Sequence, residues 1–213
     1  NLFGGVYFGK TVLITGHTGF KGSWLKLWLK KMGAHVIGYS LEPPTTPNHW
    51  NLLELDTISI IEDIRKQNRL HDVLTQYQPE IVFHLAAQSL VRESYNDPVE
   101  TFETNVLGTV KLFEACRHVD SVKAIINVTS DKCYENKEWP WGYREQEPMG
   151  GHDPYSASKG CAELVTACYQ NSFFTASVET GIHIKLLASA RAGNVIGGGD
   201  WANDRLIPDI MKA

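Results

Sequence analysis

TVLITGHTGFKG, residues 11–22, joins a strand signal to a helix signal through three glycines. Thr11-Val12-Leu13-Ile14-Thr15 is a short apolar, β-branched run. From Phe20 to Met32, bulky residues return at helical spacing: Phe20, Trp24, Leu27, Trp28. Between them, Gly16, Gly19 and Gly22 form Gly-x-x-Gly-x-x-Gly, the dinucleotide fingerprint with one spacing altered. Gly16 permits a tight turn, Gly19 lets backbone approach a pyrophosphate, and Gly22 allows close helix–strand packing. The helix start adds free N–H groups and a positive dipole end. His17, Thr18, Phe20 and Lys21 fill the loop and are read as cofactor neighbours.

Outward from this unit, strand-like and helix-like segments alternate. Strands are expected at His35–Ser40, Thr57–Ile61, Ile81–Ala87, Lys123–Ser130 and His183–Ala188. Helices are expected at about Gln67–Tyr77, from Asp97-Pro98 to about His118, and at Pro154–Phe174. Asp97 before Pro98 reads as an N-cap followed by proline at the first helical position. Strands that are apolar throughout and alternate with helices predict a parallel sheet covered on both faces. The fold class is therefore α/β, a Rossmann-type doubly wound parallel sheet. Residues 1–178 are assigned to a dinucleotide-binding domain. Residues 179–213 are assigned to a sixth strand and the start of a smaller substrate-binding region, and the chain looks truncated within that region.

Composition narrows the function. Of 213 residues, 43% are hydrophobic and 21% charged, which suits a globular protein and argues against disorder. A net charge of -4 gives no electrostatic reason to expect nucleic acid. No apolar run reaches the roughly 20 residues of a membrane span, and the N-terminus lacks signal-peptide order. Cys116, Cys133, Cys161 and Cys168 show no C-x-x-C spacing. They are read as reduced thiols, mostly small buried hydrophobes, in a cytoplasmic protein without a metal site.

In a doubly wound sheet, ligands bind beyond the carboxyl ends of the strands. The fifth strand ends there in Ser130-Asp131-Lys132: a hydroxyl, a carboxylate and an ammonium side by side. Tyr155-Ser156-Ala157-Ser158-Lys159 begins a helix, so Tyr155 and Lys159 share one face. An adjacent ammonium favours a phenolate, which predicts a lowered Tyr155 pKa and a general-base role. Where the fingerprint expects an acid for the adenosine ribose, the second strand offers Ser40; Asp63 ends the third strand, placed for an adenine amino group. His84, in a buried strand, is read as structural, and Trp139 and Trp141 as packing or lid aromatics.

Six stretches together resemble the extended short-chain dehydrogenase/reductases that act on nucleotide sugars. They are Thr15–Gly22, Asp63-Ile64-Arg65, His84–Gln88, Asn105–Thr109, Tyr155–Lys159 and Arg191–Gly197. Ser130–Tyr134 and the aromatic run Glu138–Glu145 are most similar to the branch that dehydrates CDP-glucose at C4 and C6. The resemblance implies NAD as cofactor and CDP-glucose or a related nucleotide sugar as substrate. It implies deoxysugar synthesis for lipopolysaccharide O-antigen, and a homodimer built on a four-helix bundle from about Val99–Arg117 and Tyr155–Phe174. It implies catalytic Ser130, Tyr155 and Lys159, with Asp131 as acid for water loss. Lys132 stands where dTDP-glucose dehydratases carry a glutamate base; it acts as a neutral base, or another group does, or it only tunes Asp131. Ile64, Ala86, Ala87, Gln88 and Asn105 are implied on the cofactor side, Asn194 and Arg205 on the sugar-nucleotide side. The competing readings are a nucleotide-sugar 4-epimerase, which needs no acid at 131, and a non-catalytic dinucleotide-binding regulator.

Overall fold

The structure, a computed structural model, describes residues 2–174 and 185–213. Six parallel strands form one sheet in the order β3-β2-β1-β4-β5-β6. They are β1 (Thr11–Thr15), β2 (His35–Ser40), β3 (Ile58–Ile61), β4 (Ile81–His84), β5 (Ala124–Val128) and β6 (Leu186–Ala190). Between them come α1 (Phe20–Lys31), α2 (His49–Leu53), α3 (Gln67–Tyr77), α4 (Val91–Asn96), α5 (Pro98–Phe102), α6 (Gly108–Arg117) and α7 (Pro154–Tyr169); α8 (Leu206–Lys212) follows β6. This is the doubly wound order, with its direction reversing between β1 and β4.

Alternation along the strands divides the core in two. Leu13 faces one side with Val82, Leu112, Phe113 and Ile125, under α3 and α6. Val12 and Ile14 face the other with Leu29, Ala34 and Val36, under α1. Leu13 is fully buried, so truncating it to alanine would cost about 2–5 kcal/mol. β3 departs from the expected all-apolar burial because it is an edge strand, and Ile58 and Ile61 are each 44% exposed.

Most expected elements stand within a residue or two of their places. Strands four and five end earlier than expected, at His84 and Val128. Strand six is Leu186–Ala190 rather than His183–Ala188; its expected start, and the 178/179 domain boundary, fall outside the described residues. β6 pairs with β5 in the main sheet. Asp97 caps α5 through the backbone N–H of Glu100, as expected. The single helix expected beyond it is interrupted by a π turn at Glu103–Leu107. The expectation of buried cysteines fails at Cys168, which lies on the exposed side of α7; Cys116 and Cys133 are buried and Cys161 is half-buried. No helix among the described residues is long and apolar enough to cross a membrane, and they contain no metal-holding cluster of His, Cys, Asp or Glu.

Candidate active site

The carboxyl ends of β1 and β4 meet at the switch point, and the three glycines there have different jobs. Gly16 has φ +75, and an added Cβ would lie 2.8 Å from the Ala86 backbone nitrogen. A Cβ on Gly22 would lie 2.1 Å from the Gly16 carbonyl oxygen. Both glycines are therefore required by the fold itself. At Gly19 a Cβ would meet only the Gly16 oxygen, at 3.4 Å, with nothing else within 4 Å. The cradle above Gly19, at the start of α1, is thus open for a ligand's phosphates, and the loop fits a dinucleotide.

The loop's side chains divide as well. His17 is turned inward: it is fully buried, its Nε2 is 2.7 Å from the Ser59 hydroxyl, and its ring stands edge-on to Trp50. Only its backbone remains for the loop. Thr18 donates to the Leu41 carbonyl at 2.8 Å. The Ser40–Thr18 bond, also 2.8 Å, must therefore use the Ser40 proton, leaving Ser40 able only to accept from a ribose hydroxyl. Phe20 packs under the loop at Gly197, and Lys21 is half-buried with its pKa lowered by burial and by Arg205. The Asp63 carboxylate accepts from Arg65 through Nε and Nη2, which holds its pKa below the usual value. A recess beside it is lined by Asp63, Arg65, Lys66, Glu103, Leu107 and Lys111. Ile64 is buried against Gly108.

Beneath the β4 end runs a directed hydrogen-bond chain. Thr109 gives its proton to the Asn105 carbonyl, so His84 Nε2–H must donate to Thr109. His84 Nδ1 then accepts from Thr15, whose oxygen accepts in turn from the N–H groups of Leu85 and Ala86. Burial pushes His84 down to about 3, so the ring is neutral and structural, as its strand position suggested. Asn105 lies inside the π turn. Its Oδ1 accepts from the Gln88 N–H, and its Nδ2 donates to the Gln88 carbonyl and to Ser158. π turns recur at functional sites, and this one brings Asn105 to α7. Ala87, between Ala86 and Gln88, is half-buried on the same edge.

Across the switch point, Ser130 caps a 3₁₀ turn at Asp131–Cys133, accepting from the Lys132 N–H at 3.2 Å. Its hydroxyl donates to Asp131 Oδ1 at 3.0 Å and stands close enough to Tyr155 to favour the phenolate. Asp131 and Lys132 are exposed, and no ion pair joins them among the described residues. Asp153 caps α7 through the Ser156 N–H, which fixes Tyr155 in the first turn. Tyr155 and Lys159 are both buried, with Lys159 Nζ 6.0 Å from the centroid of the Tyr155 ring. The expected lowering of the phenol is not found. Burial raises the Tyr155 pKa, and the Ser130 hydrogen bond and Arg205 only partly offset it. Lys159 itself is pushed down to about 8 by burial and by Lys21.

The segment after β6 roofs these groups. The Asp131 N–H donates to the Ala192 carbonyl at 3.1 Å, and Gly193 faces the Asp131 carboxylate. Asn194 is exposed beside it. Trp24 Nε1 of α1 donates to the Gly198 carbonyl. Arg205 reaches Ser89 at 3.2 Å and Asp200 at 3.6 Å. Sequence reasoning gave no role to two residues here. Glu163 is a buried carboxylate on α7, and Arg191 is its partner at 2.9 Å. The signal for Glu163 was a charge four residues after Lys159, on the buried face that carries Tyr155 and Lys159.

A phosphate cradle at the switch point, with Ser, Tyr and Lys converging beside it, defines a dinucleotide-binding α/β protein of the short-chain dehydrogenase/reductase class. The family model described as GDP-mannose 4,6 dehydratase matches residues 13–184, and the chain belongs to that family. It is 59% identical over 208 residues to CDP-glucose 4,6-dehydratase of Salmonella typhimurium, covering 96% of this chain and 57% of that protein. It is 33% identical over 181 residues to CDP-paratose 2-epimerase of Salmonella typhi, covering 76% and 53%. Among solved structures it is similar to DesIV, a dTDP-glucose 4,6-dehydratase from Streptomyces venezuelae with NAD and TYD bound. That match has TM-score 0.78 and 25% identity, and covers 95% of this chain and 61% of DesIV. The chain thus spans a little over half the length of these relatives.

Proposed function

We propose that this chain is the cofactor-binding and catalytic part of an NAD-dependent nucleotide-sugar 4,6-dehydratase, acting on CDP-glucose and releasing water. The observation that carries the reading is the Asp131 carboxylate held beside Ser130 and Tyr155, because an epimerase has no use for an acid there. The 59% identity to a CDP-glucose 4,6-dehydratase supports the choice of substrate. Gly16 to Gly22 and the β1 and β4 ends would hold the pyrophosphate, Ser40 the ribose, and Asp63 with Ile64 the adenine.

NAD, when bound, supplies the acceptor for the C4 hydride and its return to C6. Burial favours the phenol, but the single Ser130 proton, turned toward the Tyr155 oxygen, and Arg205 favour the phenolate, which would take the proton from the 4-hydroxyl as the C4 carbonyl forms. Buried Lys159, one helical turn from Tyr155, would supply positive charge beside them. The ketone acidifies C5–H, so loss of that proton and cleavage of C6–O follow, with Asp131 protonating the departing hydroxyl. Lys132, exposed next to Asp131, would take the C5 proton as a neutral amine. Asn194 and Arg205 would hold the sugar nucleotide.

Incubation of the full chain with CDP-glucose tests the reading. A 4-keto-6-deoxy product, seen by its ultraviolet absorbance in base, is expected. Recovery of a C4 epimer instead would favour the epimerase.

The exposed apolar side chains Val99, Phe102, Leu107 and Leu164 on α5–α7 support a dimer through these helices. Phe113 is fully buried in the subunit and takes no part. Sedimentation of the full chain should give a dimer that Leu164→Glu weakens; a monomer at micromolar concentration would exclude it.

A further inference from the structure

Glu163 lies two turns beyond Tyr155 and one beyond Lys159 on α7, and is 6% exposed. A buried carboxylate needs donors, and three elements supply them. Thr129 Oγ1, the residue before Ser130, donates to Glu163 Oε1. Ser189 of β6 donates to Oε2 at 2.8 Å, and Arg191 donates to the same oxygen at 2.9 Å. Burial pushes the Glu163 pKa up, but the bonds from Arg191, Thr129 and Ser189 outweigh it and hold the carboxylate ionised.

Arg191 carries the link further. Its Nη1 donates to the Tyr134 hydroxyl at 2.7 Å and to the Glu145 carbonyl at 2.9 Å. Tyr134 stacks on Tyr143, and Trp139 stacks on Trp141 in the same aromatic loop. The backbone repeats the connection, since the Thr129 N–H donates to the Ala190 carbonyl at 3.0 Å. Ser130 and Asp131 are thus anchored to the helix of Tyr155 and Lys159 from directly beneath.

We infer that Glu163 is a positioning residue for the dehydratase reaction, fixing the Ser130-Asp131 turn against Tyr155 and Lys159 through Thr129 and Arg191. The inference rests on the functional reading above. Glu163 makes no hydrogen bond to the reacting groups or the cradle, so it acts through these partners and through its charge. Its negative charge also faces Lys159, among Lys21 on the phosphate loop, Cys133 in the 3₁₀ turn and neutral His84 on β4. Lys21 favours release of the Lys159 proton, whereas Glu163 favours its retention.

The test is Glu163→Gln in the full chain, assayed with CDP-glucose across pH. Glutamine keeps the size and one accepting oxygen but removes the charge. The expected result is a kcat lower by about tenfold to a hundredfold with KM little changed, because a misplaced reacting group costs rate rather than affinity. The alkaline limb set by Lys159 should also move to lower pH, since the neighbour that retains its proton is gone. Thr129→Val serves if the glutamine variant does not fold. It keeps the carboxylate, so it should lower kcat and leave the limb in place. A Glu163→Gln enzyme with parental kcat and parental limb, even one of reduced thermal midpoint, overturns the inference and reduces Glu163 to a structural ion pair. A Thr129→Val enzyme with parental kcat does the same. A parent chain that forms no 4-keto product overturns the functional reading, and this inference with it.

Discussion

Lys159 is buried one helical turn from Tyr155, with Nζ 6.0 Å from the centroid of the phenol ring. The ammonium has been taken out of water beside a second cation, Lys21, and its pKa falls from 10.5 to about 8. Between those two values the unfolded chain keeps a proton that the folded chain has lost, so stability rises with pH in that window. Below about 8 the full cost of burying the charge is present.

Lys159→Met should therefore stabilise the ligand-free protein at neutral pH, by about 2–3 kcal/mol, while abolishing turnover. Denaturant unfolding at pH 7 checks the first half. A destabilised methionine variant would mean that the ammonium contributes to the fold.

The glycine loop separates a ligand effect from a folding effect. Gly22→Ala places a Cβ 2.1 Å from the Gly16 oxygen, so the loop must move and the fold should lose stability, by about 1–3 kcal/mol. The Cβ of Gly19→Val meets only one ordinary contact, so the variant should fold with a midpoint near the parental one. Its side chain would occupy the cradle, and titration with NAD should show lost affinity. Unchanged affinity in folded Gly19→Val would mean that the pyrophosphate lies elsewhere.

Two buried histidines set an acid limit. His84 falls from 6.5 to about 3 and His17 from 6.5 to about 4, both mainly by burial. Each is neutral when folded and takes a proton on unfolding below pH 6.5, so their effect on stability is nil above that pH and grows as pH falls. The expected slope reaches about 1.4 kcal/mol per pH unit per histidine. His84→Gln should remove one such slope between pH 6 and pH 4, while costing about 1–3 kcal/mol at pH 7 through the hydroxyls of Thr15 and Thr109. Urea unfolding across that range checks both, and an unaltered slope would place the acid sensitivity in other groups.

The sheet was legible because its signals are local. A β-branched run, a glycine turn and a helical repeat sit together in residues 11–32, and the pattern recurs through β5. α2 and α4 were missed because five or six residues hold too little periodicity. The π turn at Glu103–Leu107 was missed because Asn105 is drawn to Gln88 and Ser158, which are distant in sequence. Ser130, Tyr155 and Lys159, expected from order, spacing and the family resemblance, do lie together beside the switch point. Their electrostatics were misjudged, because i,i+4 spacing does not report burial, and burial controls the Tyr155 pKa. Glu163 went unnoticed since its donors come from the residue after β5, from β6 and from the segment beyond, which only the folded sheet assembles.

Single turnover of the full chain with bound NAD and CDP-glucose separates the proposed work of Asp131 from that of Tyr155. The absorbance of reduced nicotinamide reports the first half of the reaction alone. Asp131→Asn should accumulate that signal and release water about 10²- to 10⁴-fold more slowly, because the amide keeps the Ser130 contact but supplies no acid. Tyr155→Phe should show no signal, since the 4-hydroxyl keeps its proton. An Asp131→Asn enzyme that turns over at the parental rate would contradict the account and leave Asp131 as a polar residue at the end of a strand.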